Sequence, residues 1–185
     1  MARPLRIEFE GATYHVTVRG NARRKIFLDD RDRERFLRRL AESVETYSAG
    51  IHAYCLMPNH FHLVLGTPRG NLARFMQSLQ TGYAVYFNLR HHRSGHMTQG
   101  RYGARLVESE VCLLALSRYV HLNPVRVKTI ACLSPTEQVR YLQSYRWSSY
   151  RAYIGRTQPE AFVTYGTILR ESPGGRGPRH VRYRR

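Results

Sequence analysis

The chain has 185 residues, 42% of them hydrophobic, which is enough for one well-buried domain and too apolar for wholesale disorder. Lys and Arg number 30 against 13 Asp and Glu, a formal net charge of +17, and such an excess points to a polyanionic partner, above all nucleic acid. No signal peptide or membrane-length apolar run is read, and the three cysteines form no Cys-x-x-Cys pair, so neither a disulfide framework nor a zinc knuckle is suggested. A cytoplasmic, nucleoid-associated protein with reduced core thiols and no membrane contact is expected.

Only Lys25 and Lys128 are lysines, so arginine carries nearly all the charge, and its fork pairs bidentately with phosphate and stacks on bases. A GC-rich coding sequence would also favour Arg over Lys, but it does not account for the net charge. No Asp or Glu lies between residues 46 and 107. A solvated face normally mixes signs, so this stretch reads as a surface made to meet phosphate. It also offers none of the carboxylates that two-metal nucleases and zinc hydrolases place near the metal.

Taken in order, residues 13–19 alternate Tyr14, Val16 and Val18 against His15, Thr17 and Arg19, which predicts a first strand closed by Gly20-Asn21. Arg23, Arg24 and Lys25 follow, as a phosphate-gripping loop or a solvated one. Asp29 and Asp30 suit the start of a helix that turns Phe36, Leu37, Leu40, Val44 and Tyr47 inward and arginines outward, with Gly50 as its end. A second strand over 51–57 leads through Pro58-Asn59 into a third, as a hairpin. Asn71 is placed to cap a helix over 72–89, and residues 91–96 read as a His-rich basic turn. A fourth strand lies within 98–107, where Arg101, Tyr102 and Arg105 are set for stacking and phosphate contact. Strand, helix, strand, strand, helix, strand is the split βαβ order, so the fold class expected is α+β: a ferredoxin-like antiparallel sheet with helices on one face. A further helix over 111–122 carries Tyr119, and a Tyr- and Arg-rich segment around Trp147 packs on it or stacks on bases. Residues 1–155 form the domain and 156–185 a basic, partly flexible tail.

The stretch that organises this plan is His60-Phe61-His62. Pro58 cannot donate to a sheet ladder, so the strand starts at His60 and alternation points His60, His62 and Val64 one way and Phe61, Leu63 and Leu65 the other. Two imidazoles on one face of a rigid strand can hold one cation, although a half-exposed strand alternating His with apolar residues has the same pattern. Tyr119 and Asn123 are four apart at the end of their helix and share a face if its last turn holds, about 6 Å from each other. His60, His62 and the Asn123 side-chain oxygen together suit Mg²⁺ or Mn²⁺ better than a structural Zn²⁺, which would need a fourth protein ligand. The ion would polarise a phosphate that Tyr119 attacks. His121 is a weaker candidate to take the phenol proton, since it lies about 200° around the helix from Tyr119.

Met57-Pro58-Asn59-His60-Phe61-His62, with Arg118-Tyr119-Val120-His121-Leu122-Asn123-Pro124-Val125-Arg126, resembles the single-tyrosine HUH transposases of insertion sequences. The REP-associated tyrosine transposases are the most similar branch. Ala53-Tyr54-Cys55-Leu56, Gln99-Gly100-Arg101-Tyr102 and Trp147-Ser148-Ser149-Tyr150 extend the resemblance to about residues 10–155. It implies a metal-dependent nuclease that cuts single-stranded DNA beside a hairpin, leaving a 5′-phosphotyrosine and a free 3′-hydroxyl. His60 and His62 would be metal ligands, Asn123 the third ligand and Tyr119 the nucleophile, acting in a monomer or homodimer. Asn123 stands where many mobile relatives have Gln, and Asn-Pro favours the host-resident branch. The cations expected at DNA are Arg19, Arg23, Arg24, Lys25, Arg74, Arg101, Arg105, Arg118 and Arg126. A replication-initiator-like nickase and a noncatalytic nucleic-acid-binding module are the alternatives.

Overall fold

The computed structural model describes residues 8–170 and residue 183. β1 (Ala12–Arg19) is followed by α1 (Asp30–Tyr47), the hairpin β2 (Gly50–Met57) and β3 (His60–Thr67), α2 (Leu72–Arg90) and β4 (Gly103–Leu106). α3 (Glu110–His121) runs into a 3-10 turn (Asn123–Arg126), and the short helices α4 (Lys128–Ala131), α5 (Pro135–Ser144), α6 (Tyr150–Tyr153) and α7 (Tyr165–Arg170) complete the described chain. The pairings between the four strands are antiparallel and the strand order is β2-β3-β1-β4, the ferredoxin-like arrangement that the element order predicts.

Alternation builds the main core. Tyr14, Val16 and Val18 of β1, Phe61, Leu63 and Leu65 of β3, and Ile51, Tyr54 and Leu56 of β2 pack under α1 and α2. Phe36 of α1 meets Phe61 with ring centroids 4.7 Å apart, and Tyr83 of α2 at 5.2 Å. An irregularity between Ile51 and Ala53 makes His52 an extra residue in β2, so Ala53, Cys55 and Met57 turn to the other face. There α3, α6 and α7 supply a second, smaller core around Val64, Val120, Tyr153 and Ile168. Helices therefore lie on both faces. The second face is covered only over β2 and β3, and that asymmetry leaves the histidines at the margin of an open half-sheet.

Several local expectations are corrected. α1 ends at Ser48, whose left-handed φ of 51° makes it the cap, and Gly50 already belongs to β2. Asn71 stands at the N-cap of α2 as expected, but its side chain makes no capping bond; its Nδ2 donates to the Tyr47 carbonyl at 2.9 Å and ties the start of α2 to the end of α1. The fourth strand is four residues long, because Gly100 at φ 64° turns the chain between the Gly20–Thr98 bridge and Gly103. Tyr102 is buried in the main core rather than offered for stacking. Of the cysteines only Cys55 is buried, since Cys112 and Cys132 sit on outward positions of α3 and beyond α4. Trp147 packs against the main core, with Arg33 and Arg146 guanidiniums 5.4 and 5.3 Å from its ring, and its carbonyl accepts from Leu56 N–H at 2.8 Å. Residues 147–149 thus shield the β2 edge. Within the expected tail, Val163 bridges to Ile51, Ile168 is buried and Tyr183 joins the second core; residues 171–182, 184 and 185 lie outside the described residues.

His121 is central to that second core. Its Nδ1 meets Tyr183 Oη at 2.7 Å and its Nε2 meets Ser149 Oγ at 2.8 Å, while burial lowers its pKa to about 3. It faces away from Tyr119 and is a packing residue, not a proton acceptor for it. Because the folded pKa lies below the unfolded value of about 6.5, His121 protonates only on unfolding between those limits. Its contribution is complete above pH 6.5 and is lost as pH falls toward 3, at about 1.4 kcal/mol per pH unit. We expect urea unfolding at pH 5 to show about 2 kcal/mol less stability from this group, with a shallower pH dependence in His121→Gln. Identical pH profiles for the two proteins would refute this.

Candidate active site

The open half of the sheet and the end of α3 enclose a cleft of about 620 Å³, lined by His15, Thr17, Arg19, His62, Arg105 and Tyr119 among others. Register explains the gathering. In the β1–β3 ladder Arg19 stands opposite His60, Thr17 opposite His62 and His15 opposite Val64, and β4 puts Arg105 opposite His15. Residues opposite each other in a ladder point to one face, so three strands deliver their polar side chains together.

The rings are in contact. His60 and His62 have centroids 5.1 Å apart, His15 stacks on His62 at 5.2 Å, and Tyr119 presents an edge-to-face contact to His62 at 5.9 Å and to His15 at 5.8 Å. Tyr119 is 37% exposed and lines the cleft. Arg126, on the turn after α3, sets its guanidinium 4.5 Å from the Tyr119 ring. That is a cation–π contact beside a phenol that must lose a proton to act as a nucleophile.

Hydrogen bonds set the donor atoms. Asn59 Nδ2 donates to the Arg23 carbonyl at 3.2 Å, so its Oδ1 must face His60, and His60 Nδ1 donates to it at 2.7 Å. His60 therefore carries its proton on Nδ1 and keeps the Nε2 lone pair. Asn123 Nδ2 donates to the carbonyls of Tyr119 and Val120 at 3.0 and 3.2 Å, closing the last turn of α3. Its oxygen end is left to meet His62, which hydrogen-bonds the Asn123 side chain. On its other side His62 Nδ1 lies 3.0 Å from His15 Nε2. Burial, together with the neighbouring His60, His15 and Arg19, lowers the His62 pKa to about 3; burial and Arg19 lower His60 to about 4; burial and then Arg105 lower His15. Neutral imidazoles with directed lone pairs and an amide oxygen fit a small divalent cation. Among the described residues no three His, Cys, Asp or Glu side chains are placed to hold one metal ion, so Asn123 is needed to complete a three-ligand set.

The remaining cations divide. Arg19 and Arg105 line the cleft, and Arg126 touches Tyr119. Arg23, Arg24 and Lys25 are exposed on a loop at the His60 end of the sheet. Gly20 is required there, because a Cβ would come within 2.1 Å of the Arg24 carbonyl oxygen. Arg101 is exposed on the turn before β4, whereas Arg118 is half-buried and acts on the buried Tyr183. Arg74, at the start of α2, is on the opposite face and at the opposite end of the sheet, so it is not brought to the cleft. His15 is the site residue that motif reading passed over. Its signal was present in the β1 alternation, which put it on one face with Thr17 and Arg19.

The chain matches the model of the family described as IS200-like transposases over residues 8–123. A comparison with curated proteins returns no match. Among solved structures it is similar to a REP-associated tyrosine transposase bound to a REP hairpin, at 14% identity and a TM-score of 0.66, covering 89% of this chain and 92% of that one. A putative transposase from Deinococcus radiodurans aligns at 20% identity and a TM-score of 0.45, covering 64% of this chain and 95% of that one. No helix among the described residues is long and apolar enough to cross a membrane.

Proposed function

Because the chain belongs to the IS200-like transposase family, we propose that it cleaves and rejoins single-stranded DNA beside a hairpin, with Tyr119 as nucleophile and Mg²⁺ or Mn²⁺ as cofactor. The observation that carries this reading is the meeting of Tyr119 with His62 and His15 in one arginine-lined cleft. The hairpin is supported by the structure that shares this fold, which is a REP-associated tyrosine transposase bound to a REP hairpin. It is supported too by Asn123-Pro124, the REP-branch form of the motif.

In this reading Tyr119 Oη attacks the phosphorus of the scissile phosphodiester, the bond to the 3′-oxygen breaks, and that oxygen leaves as a 3′-hydroxyl once protonated. The 5′ end remains on Tyr119 as a phosphotyrosine, which a 3′-hydroxyl can reverse. Arg19 and Arg105 offset phosphate charge across the cleft, and Arg126 favours the phenolate. His60, His62 and Asn123 would hold the divalent ion, which supplies charge stabilisation at the phosphate. His15 would act through His62: its ring stacks on the His62 ring and its Nε2 meets His62 Nδ1, which would leave Nε2 as the His62 nitrogen able to hold the ion. The contact of Tyr119 with the histidines of its own chain supports action within one copy.

The test is an adduct assay with end-labelled hairpin oligonucleotides on denaturing gels, with and without Mn²⁺. An adduct on the 5′ side of the cut, dependent on the ion and lost in His62→Ala, is expected. Binding without cleavage on hairpins flanking the gene would instead identify a noncatalytic module. His15→Ala is expected to weaken Mn²⁺ binding about 10- to 100-fold, the usual cost of losing a group that orients a metal-binding histidine. Titration of Mn²⁺ without DNA reads this directly, and unchanged affinity would remove His15 from the site.

A further inference from the structure

A second basic surface lies on the other side of the molecule. Arg31, Arg35 and Arg38 follow one another at offsets of four and three along the outer face of α1, and Tyr86 and Arg90 of α2 complete a groove of about 440 Å³. The Arg35 guanidinium is 5.7 Å from the Tyr86 ring centroid. Arg90 is held at the groove's end by Asp29 and Asp32. None of the ion pairs among the described residues uses Arg31, Arg35 or Arg38, and Glu42, one turn beyond Arg38, is already paired with Arg39 at 3.0 Å. The groove is thus a row of guanidiniums with no carboxylate in its lining.

Exposed cations lie along the chain between the cleft and the row. β1 exits at Arg19, opposite His60, into the loop carrying Arg23, Arg24 and Lys25. That loop is fastened to the β2–β3 turn by Gly20 N–H on the Asn59 carbonyl at 2.8 Å and by Ile26 N–H on the Pro58 carbonyl at 2.8 Å. α1 starts four residues after Ile26, so its first arginine lies at this same end of the sheet. A strand leaving the cleft past Arg19 would cross the loop cations and arrive at Arg31.

We propose that the α1–α2 groove is a second DNA-contact surface, which takes the phosphates of a duplex stem while the cleft holds the unpaired strand. The inference rests on the hairpin reading above. A duplex fits better than a second single strand for two reasons. From Arg31 to Arg38 the helix rises about 10 Å, the axial length of three base pairs, on a rigid support. The one aromatic ring of the groove is covered by Arg35, so no stacking platform for unpaired bases is offered.

The experiment compares the protein with a triple variant, Arg31→Gln, Arg35→Gln and Arg38→Gln, in a Tyr119→Phe background that binds without cutting. Affinity is measured over a salt series for a hairpin with an adjoining single strand and for the single strand alone. For the hairpin the expected result is at least about a tenfold loss at low salt and a salt slope lower by about 2 to 3, since each phosphate contact contributes about 0.9. For the single strand neither quantity changes, and the matching Arg→Lys triple variant restores the slope. Equal losses on both DNAs, or none on either, would overturn the proposal. Adducts measured separately with Tyr119 intact keep the two readings apart. A stem-specific loss without any adduct would sink the nuclease and spare the groove, whereas adducts without a stem-specific loss would do the reverse.

Discussion

Replacing Tyr119 by Phe is expected to abolish covalent protein–DNA adducts, lowering their rate of formation on the order of 10³- to 10⁶-fold, the range set by removal of a nucleophile from a preorganised site. The substitution removes only the hydroxyl. The ring that meets His62 at 5.9 Å, His15 at 5.8 Å and Arg126 at 4.5 Å is kept, so hairpin affinity should change by no more than a few-fold. The pair of measurements separates chemistry from binding. Other tyrosines make poor substitutes: Tyr54, Tyr102 and Tyr153 are buried in the cores, and burial raises the Tyr54 and Tyr153 phenols well above their ordinary range. An adduct that persists in Tyr119→Phe would place the nucleophile elsewhere and overturn the proposed mechanism. Loss of binding along with the adduct would mean that the phenol acts in holding DNA rather than in cutting it.

The largest stability effect is expected at Asp32, whose side chain is fully buried. It accepts from Leu28 N–H at 2.8 Å, from Arg90, and from His91 Nε2 at 2.9 and 3.0 Å, and so joins the entry of α1 to the exit of α2. Asp29 caps the same helix by accepting from Asp32 N–H at 3.0 Å, and Arg90 also bonds it, which holds the Asp29 carboxyl well below the usual carboxylate range. Asp32→Ala would leave a buried amide without its acceptor and an arginine with half its charge partner. Breaking a buried pair costs about 3 to 5 kcal/mol, and because Arg90 keeps Asp29 and some water we expect the low end, about 3 kcal/mol. For a domain of this size that lowers Tm by roughly 6–12 °C in calorimetry. A fall of less than 3 °C would show that α1 and α2 are held by their apolar contacts alone.

Neither effect lies at an equal depth in the sequence. The proposed nucleophile and its turn are local features: Tyr119 and Asn123 meet through the pitch of one helix, and His60 and His62 share a face through the alternation of one strand. Periodicity and the backbone rules of Pro58 and Pro124 were enough to place them, as they were for the strand and helix order. The meeting of those local features depends on pairing between segments far apart in the chain. The Thr17–His62 register brings His15 onto the site, and a slip of one residue would have turned it to the core. The side of the sheet that α2 covers decides that Arg74 is remote from the cleft, although its exposure was legible. Asp32, Arg90 and His91 stand at helix ends far apart in the chain, and antiparallel packing of α1 and α2 makes them one network around a buried carboxylate. The amino-acid sequence by itself determined the parts whose geometry is repeated every two or 3.6 residues. Tertiary structure decided which side chains were desolvated together, because burial and charge compensation belong to neighbours in space.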